Sequence, residues 1–428
     1  MTTFRYALAG LLMTATLVAT AQTKTGAIKV EMKKTDSSWQ IIRDGKPYFI
    51  KGTGGGAYPA RTKAYGGNSI RTWSTRGADK ILDSASKYGF TVLLGLDVAR
   101  ERHGFNYDDP AAVAKQLETL RKEVMKYKDH PAVLAWGIGN ELNLHYTNPK
   151  VWDAVNEISK MCHELDKNHP TSTELAGINK TMADEIKLRA PDLDLLGINT
   201  YAPLAVLPAA VKASGWDKAY MVTEWGPTGH WETLETAWKQ PIEETSSEKA
   251  GVYKSRYEFG IERDPASCVG SYVFLWGQKQ ERTPTWYGVF TEKGEESEVV
   301  DVLQYLWSGT WPSNRAPHIY SLQVNGKKAI QNVYVESGKT YDVLAAADDA
   351  DRDKLAYRWE ILPEPTKVGD GGDHEDRPQP VTGLVSGSAN GKAKLKAPAK
   401  SGAYRLFVYI TDGHNNVATA NIPFFVNQ

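Results

Sequence analysis

Cysteine is scarce in this chain: Cys162 and Cys268 are the only two among its 428 residues. Cys162 falls in a helical stretch and Cys268 opens a strand-like run. Two cysteines cannot supply a disulfide framework for a chain of this size, so a large apolar core must hold the fold. We expect two buried thiols, with a single disulfide bridge as the alternative.

The chain also lacks an excess of either charge, with 51 basic and 51 acidic side chains. Nucleic acid and anionic membranes are therefore not expected as partners. The first apolar run is short and resembles a secretory signal, with Arg5, the apolar stretch 7–18 and the small residues Ala19-Thr20-Ala21. No later run reaches membrane-spanning length. We expect a secreted or periplasmic protein whose mature chain begins at Gln22, has no membrane anchor and is a monomer.

Nucleotide-binding motifs are missing as well. The Gly-rich segment Gly52–Gly56 lacks the Lys-Ser/Thr ending of a phosphate-binding loop and the spacing of a dinucleotide fingerprint. It is more simply a loop between a strand and a helix.

A regular alternation of strand-like and helical segments is present instead. Asp109-Pro110 and Asn148-Pro149 each place a capping residue before a helix, and Asp44-Gly45 predicts the turn of an N-terminal hairpin that closes the bottom of the domain. Eight strands in such an alternation favour a closed (β/α)8 barrel over an open doubly wound sheet. The predicted strands are Tyr48–Gly52, Ser69–Trp73, Thr91–Asp97, Val133–Gly137, Ser172–Leu175, Leu193–Asn199, Tyr220–Thr223 and Val269–Trp276.

Beyond residue 312 the pattern changes to short strands separated by turn signals, which predicts an immunoglobulin-like β-sandwich. We therefore divide the chain into a signal peptide (1–21), a barrel with its hairpin (22–312) and a sandwich (313–428). The segment Pro363–Pro380 is predicted to be a polar loop or a disordered insert. The predicted sandwich strands are Ile319–Val324, Val333–Val335, Tyr341–Ala346, Leu355–Ile361, Lys392–Leu395, Tyr404–Thr411 and Ala418–Val426.

Two glutamates at the ends of barrel strands are the main functional signal. Glu141 follows Leu134-Ala-Trp-Gly-Ile-Gly-Asn140, and Glu224 follows Tyr220-Met-Val-Thr223. Burial penalises a charged carboxylate, so such positions are chemically costly. A retaining glycosidase needs such a pair, one acid that protonates the leaving oxygen and one nucleophile, about 5–5.5 Å apart. We therefore expect Glu141 and Glu224 to be the catalytic residues, with no cofactor required.

Other strand ends carry residues that suit this chemistry. Asn140 can bind the sugar 2-hydroxyl. Arg71 can hold Glu224 ionised, although an ordinary barrel ion pair is its alternative role. We expect Tyr201 to donate its hydroxyl to the nucleophile and Trp276 to form the floor of the sugar subsite. Glu174 and Asp97 also end strands; they lack the neighbouring Asn, and a hydrogen bond to substrate is the expected use of either.

The chain is rich in aromatic residues, with 13 Trp and 21 Tyr. Flat rings stack on sugars but also fill cores. We expect Trp225 and Trp286 to be sugar platforms. His145 is expected near the substrate, with a packed loop histidine as an equal alternative.

The acidic run Asp348–Asp353 resembles the turns of cadherin-type and polycystic-kidney-type modules, some of which bind calcium. It lacks the Gly and Glu of a dedicated calcium loop, so a solvated turn and no metal are expected.

Gly139-Asn140-Glu141 and Thr223-Glu224-Trp225-Gly226 resemble the corresponding motifs of the retaining (β/α)8 glycoside hydrolases of clan A. The barrel-plus-sandwich layout most resembles the endo-β-1,3-glucanases of glycoside hydrolase family 158. This resemblance implies hydrolysis of a laminarin-type β-glucan. The alternatives are a β-mannanase, a β-1,4-glucanase or a transglycosylase on the same barrel, or a glycan-binding protein without activity.

Overall fold

The computed structural model describes residues 26–369 and 372–428. The predicted signal peptide lies outside these residues. Within them, no helix is both long and apolar enough to cross a membrane.

A small antiparallel sheet closes the bottom of the barrel; it contains the predicted hairpin and one further strand, the first, that was not predicted. Its strands are β1 (Val30–Lys34), β2 (Trp39–Arg43) and β3 (Lys46–Tyr48). The Asp44-Gly45 turn between β2 and β3 has positive φ at both residues, the conformation that Asp-Gly favours in a two-residue hairpin. Val30 and Ile41 pack against apolar residues near the starts of the barrel strands, such as Leu134 and Val269.

The central sheet is the predicted closed barrel of eight parallel strands. All eight predicted strands are present. Every residue of the fourth barrel strand, Val133–Asn140, is buried, which explains its nearly continuous apolar sequence. The strands are β4 (Ile50–Gly54), β5 (Ser69–Arg71), β6 (Thr91–Leu96), β7 (Val133–Asn140), β8 (Thr171–Ala176), β9 (Leu195–Asn199), β10 (Tyr220–Trp225) and β11 (Cys268–Val273).

Helices surround the barrel, and one of the two predicted caps is confirmed: Asp109 caps its helix, whereas the helix after Asn148-Pro149 begins one residue later, at Lys150, without a side-chain cap. The Asp109 carboxylate accepts hydrogen bonds from the N–H groups of Ala111 and Ala112, and Pro110 is the first residue of its helix. Both cysteines are buried and unbridged, as expected. The helices are α1 (Pro59–Ala64), α2 (Ala78–Tyr88), α3 (Pro110–Tyr127), α4 (Lys150–Leu165), α5 (Lys180–Arg189), α6 (Leu207–Ser214), α7 (Ser246–Tyr257) and α8 (Glu298–Ser308).

The C-terminal part forms two sheets with a core of their own. One sheet has the order β13-β15-β18-β17, and the other has the order β12-β20-β19-β16 with β14 also paired to β20. The strands are β12 (Glu296–Ser297), β13 (His318–Val324), β14 (Val333–Glu336), β15 (Thr340–Asp348), β16 (Ala356–Pro363), β17 (Val385–Ala389), β18 (Lys392–Lys396), β19 (Gly402–Thr411) and β20 (Asn416–Asn427). The predicted sandwich is therefore confirmed.

Two of these strands were not predicted. β17 has the sequence Val-Ser-Gly-Ser-Ala, which carries little β propensity and forms only because β18 pairs with it. β12 has only two residues and precedes α8, yet it pairs with β20 of the sandwich. The proposed boundary at residues 312 and 313 therefore stays a prediction.

Buried charges join the sandwich to the barrel. Lys249 of α7 donates to Glu243 at 2.6 Å and to the carbonyls of Thr285 and Trp286, and Glu243 also accepts from Asn421 of β20. Arg405 of β19, which is 2% exposed, donates to the carbonyl of Pro241 in the barrel. Because every donor of the Lys249 ammonium is used, its desolvation is compensated.

Replacing Lys249 with Met should lower the free energy of unfolding by about 3–5 kcal/mol, because Glu243 keeps its charge in a buried place without its cation. Urea unfolding at pH 7 measures this. The matched control is Lys254→Met on the same helix, where the more exposed pair with Glu258 should contribute about 1 kcal/mol or less. Equal losses in the two variants would contradict the buried network.

Candidate active site

The two predicted glutamates face one cavity at the carboxyl-terminal end of the barrel. Glu141 directly follows β7 with a φ of 52°, and Glu224 lies near the end of β10. Both line a cavity of about 340 Å³. Carboxyl ends of parallel barrel strands meet at one face, so residues far apart in sequence converge there.

Three donors hold the Glu224 carboxylate. Its Oε1 accepts from Arg71 Nη1 and from the indole N–H of Trp73, both at 2.7 Å. Its Oε2 accepts from the Tyr201 hydroxyl, at 3.2 Å. Arg71 is 1% exposed and Glu224 is 6% exposed, so this is a buried ion pair with charge-assisted hydrogen bonds. The predicted partners Arg71 and Tyr201 therefore both contact Glu224.

A chain of hydrogen bonds links the two glutamates. Arg71 Nη2 donates to Asn140 Oδ1 at 2.6 Å. Asn199 Nδ2 lies 3.2 Å from the same oxygen and 3.0 Å from Glu141 Oε1. The side chains of Glu224, Arg71, Asn140, Asn199 and Glu141 are therefore fixed relative to one another across four strands.

The environment raises the pKa of Glu141 to about 7. Burial is the largest cause and the negative charge of Glu224 is the second, while the hydrogen bond from Asn199 and the charge of Arg71 oppose them. Burial also raises the pKa of Tyr201 well above its usual range, so its hydroxyl stays a donor. One carboxyl group is thus able to hold a proton near neutrality beside a second group held by a guanidinium, an arrangement suited to paired acid and nucleophile roles.

The structure corrects the prediction for three tryptophans. Trp225, Trp276 and Trp286 are 0%, 1% and 1% exposed. None of the three lines the cavity of the glutamates or the larger cavity beside it. Trp225 packs against Tyr253 and Tyr257 of α7, and Trp276 packs against Phe290 and Trp307. They are core residues without a ring face open to a sugar.

Other residues, most of them aromatic, line the two cavities. Trp231 is 60% exposed, lines both cavities and contacts the ring of Tyr201 edge-on. Phe274 and Leu275, just after β11, line the cavity of the glutamates together with Trp73. His145 is exposed and lines the larger cavity, a position consistent with its predicted role.

Sequence reasoning missed the roles of Trp73, Asn199 and Trp231. Asn199 is the last residue of β9, so the rule that selected the other strand ends would also have found it. Trp73 lies two residues after Arg71, but nothing in its local sequence shows that its indole reaches Glu224.

Contrary to the prediction, Glu174 does not lie in the cleft. Its side chain is 2% exposed, and Ser172 Oγ donates to it at 2.6 Å. Gly137 and Gly197 leave the room it occupies, since a Cβ at either glycine would lie about 3 Å or less from Glu174 atoms. Burial raises the pKa of Glu174 to about 7. Asp97 is exposed and lies 3.8 Å from Arg100.

The acidic run of the sandwich brings Asp349 and Asp353 near Asp412, with carboxylate oxygens within 4.8 Å of one another. Backbone N–H groups of Asp351 and Asp353 donate to Asp349, and those of His414 and Asn416 donate to Asp412. These carboxylates therefore stabilise turns, and the site around the glutamates does not include them.

Known glycosidases are similar to part of this chain. No protein-family model matches the chain. It is similar to the human β-glucuronidase, with 20% identity over 318 residues, which cover 65% of this chain and 46% of that protein. A shorter match of 114 residues, 28% identical, relates 24% of the chain to 11% of a β-galactosidase of Arthrobacter sp. (strain B7).

Solved structures of β-glucuronidases are also similar to this chain. The β-glucuronidase of Bifidobacterium dentium complexed with coumarin-3-O-glucuronide has a TM-score of 0.52 and 18% identity, covering 66% of this chain and 49% of that chain. The β-glucuronidase of Ruminococcus gnavus has a TM-score of 0.51 and 16% identity, covering 67% and 53%. The chain thus spans about half the length, or less, of these relatives. The likeness is one of fold and shows the (β/α)8 barrel.

Glu174 should make stability depend on pH. Its pKa in the folded protein, about 7, exceeds the ordinary 4.5, so the folded state binds the proton more tightly and loses stability as pH rises between these values. Glu174→Gln, which can keep the Ser172 hydrogen bond, should be roughly 1–3 kcal/mol more stable than the unmodified protein at pH 8 but not at pH 4. Urea unfolding at both pH values measures this.

The exposed Glu118→Gln variant is the control and should change little at either pH. A Glu174→Gln variant with no gain in relative stability between pH 4 and pH 8 would show that Glu174 titrates normally.

Proposed function

We propose that the protein is a retaining β-glycoside hydrolase with Glu224 as nucleophile and Glu141 as acid/base. The observation that carries this proposal is the pair of carboxyl groups in one cavity, joined through Arg71, Asn140 and Asn199. Their environments differ in the sense that the reaction requires, because Glu224 is paired with a cation and Glu141 is kept protonated to about pH 7.

In the first step, Glu224 attacks the anomeric carbon. Oε1 is occupied by Arg71 and Trp73, so Oε2 is the oxygen with the freer lone pair. As the bond from Oε2 to the anomeric carbon forms, the bond to the leaving oxygen breaks and the Glu141 proton passes to that oxygen.

In the second step, water replaces Glu224. Glycosylation neutralises the Glu224 carboxylate, and this removes one cause of the raised pKa of Glu141. Glu141 is then an effective base that takes a proton from water, and the resulting attack restores Glu224 with overall retention of configuration. Asn140 is placed to bind the sugar 2-hydroxyl, a contact that strengthens in the transition state.

For the substrate we propose a β-1,3-glucan of the laminarin type, cut internally. A second cavity of about 930 Å³ continues from Glu141 and provides room for several sugar units. Three cations line the smaller cavity, and each has a carboxylate nearby: Lys279 with Glu281 at 2.7 Å, Arg102 with Asp373 at 3.5 Å, and Arg100 with Asp97 at 3.8 Å. Because these carboxylates compensate the three positive charges, the cavity favours an uncharged glucan as substrate. The linkage itself rests on the family 158 resemblance.

A β-glucuronide is the second candidate. The convergence of Arg100, Arg102 and Lys279 on the cavity of the glutamates favours it, because guanidinium and ammonium groups bind carboxylates. The similar proteins described above are mostly β-glucuronidases. Mannan, β-1,4-glucan and transglycosylation use the same pair of carboxyl groups and remain alternatives. Secretion, a monomeric state and independence from cofactors are also part of the proposal.

The first measurement is a time course of the purified protein on laminarin and on 4-nitrophenyl β-glucuronide. We expect a ladder of oligosaccharides from laminarin at early times, because cavities on both sides of Glu141 give room for sugar units on either side of the bond that breaks. Release of nitrophenol without cleavage of laminarin would instead support the glucuronide. If only β-mannan or β-1,4-glucan gives products, the proposed β-1,3 linkage is wrong and the proposed mechanism stands.

Substitution of each glutamate should separate their roles. Glu224→Ala should lose at least about 10³-fold in kcat/KM while still binding substrate. Glu141→Ala should lose about 10²–10⁴-fold on substrates with poor leaving groups. Added azide should restore turnover of Glu141→Ala on an activated aryl glycoside and give a β-glycosyl azide. An α-glycosyl azide from that variant would contradict the assignment.

The pH dependence of kcat/KM follows from Glu141. The acid must be protonated in the first step, so activity should fall about tenfold per pH unit above its pKa near 7. Asn199→Ala removes a hydrogen bond that lowers this pKa, and it should shift the alkaline limb to higher pH. A limb that stays in place in Asn199→Ala would show that another group controls it.

A further inference from the structure

A loop of the sandwich reaches the active site. This sandwich loop, residues 364–384, connects β16 to β17, and the structure describes it except for residues 370 and 371. Val368 and Gly369 line the larger cavity, and Gly372 and Asp373 line the cavity that holds Glu141 and Glu224. The segment predicted to be a polar loop or disordered insert thus forms part of the wall on both sides of Glu141.

A buried carboxylate holds the sandwich loop in this place. Glu375 is 4% exposed. Its Oε2 accepts from the backbone N–H of Arg282, in the segment after β11, at 2.7 Å, and its Oε1 accepts from the N–H of Gly369 at 3.0 Å. Glu375 therefore ties the barrel to the sandwich loop and shapes the turn beside the larger cavity.

Further contacts support the same position. Lys279 Nζ donates to the carbonyl of Gly372 at 2.6 Å. At the far end of the segment, Arg377 pairs with Glu360 of β16 and with Glu292 of the barrel, each at 2.8 Å. Both domains thus fix the sandwich loop, and its place at the site is part of the packed structure.

The position of the sandwich loop relative to the glutamates sets what it can contact. The smaller cavity, with both glutamates, would hold the sugar whose anomeric carbon reacts. The larger cavity is lined by Glu141 but not by Glu224, so it lies on the side of the leaving group that Glu141 protonates. Asp373 faces the first region and Gly369 the second.

We infer that the sandwich loop is a substrate-binding element in which Asp373 hydrogen-bonds sugar hydroxyls and Glu375 is the residue that positions it. This inference rests on the proposed action on β-glucan chains. The carboxylate of Asp373 is about half exposed, beside Arg102 at 3.5 Å and His103 at 3.4 Å, so it keeps acceptor capacity toward the cavity. Carboxylates that accept from sugar hydroxyls make charge-assisted hydrogen bonds, which are stronger than neutral ones.

Binding of laminarihexaose to full-length Glu224→Gln, measured by titration calorimetry, tests the inference without turnover. Adding Asp373→Ala or Glu375→Ala to this background should weaken the Kd about tenfold, the expected loss of one or two charged hydrogen bonds. Asp376→Ala is the matched control, since that side chain is 97% exposed on the same sandwich loop, and it should leave the Kd unchanged. Hydrogen exchange at residues 364–369 and 372–377 should slow when the hexaose binds.

Thermal unfolding of each variant separates binding from folding. An unchanged Kd in both Asp373→Ala and Glu375→Ala, or equal losses in Asp376→Ala, would overturn the inference. If the unmodified protein binds the hexaose but does not cleave laminarin, the hydrolase proposal fails and the same Kd values still decide the role of the loop. If it does not bind the hexaose at all, the inference is overturned as well.

Discussion

The buried guanidinium of Arg71 is the constraint on which the site depends. A cation that is 1% exposed needs anionic and carbonyl partners, and Arg71 finds them in Glu224, in the carbonyl of Thr223 and in Asn140. These partners come from two strands, β7 and β10, so satisfying the side chain of Arg71 on β5 fixes the tops of all three strands relative to one another. Burial and the negative charge of Glu224 raise the pKa of Glu141, while the charge of Arg71 opposes this shift.

A second set of buried charges makes the barrel and the sandwich mutually dependent. Glu243, which is paired with Lys249, accepts from Asn421 of β20, and Arg405 of β19 donates to Pro241 in the same barrel segment. This docking aims the connection between β16 and β17 toward the cavity. The sandwich is therefore more than a brace in structural terms, since its residues form part of the wall beside the paired glutamates.

The aromatic residues show where local sequence misleads. Trp225 and Trp231 are six positions apart in chain order, yet their exposed fractions are 0% and 60%. Trp225 ends a strand whose outer face is covered by α7, whereas Trp231 lies in the long segment after β10 that borders both cavities. A tryptophan suits a core and a sugar platform equally well, so burial alone distinguishes the two, and burial depends on the packing of distant segments.

The sequence by itself determined the eight barrel strands, the hairpin, most of the sandwich strands and the strand-end residues that converge, because periodicity, caps and turns are local signals. The convergence of Glu141, Glu224, Arg71 and Asn140 followed from the barrel rule alone. Only the tertiary structure decided that Trp73 and Asn199 bind the glutamates, that Glu174 is buried under them and that the sandwich loop borders the cavity. Those contacts join residues distant in the chain through side-chain directions that local pattern does not encode.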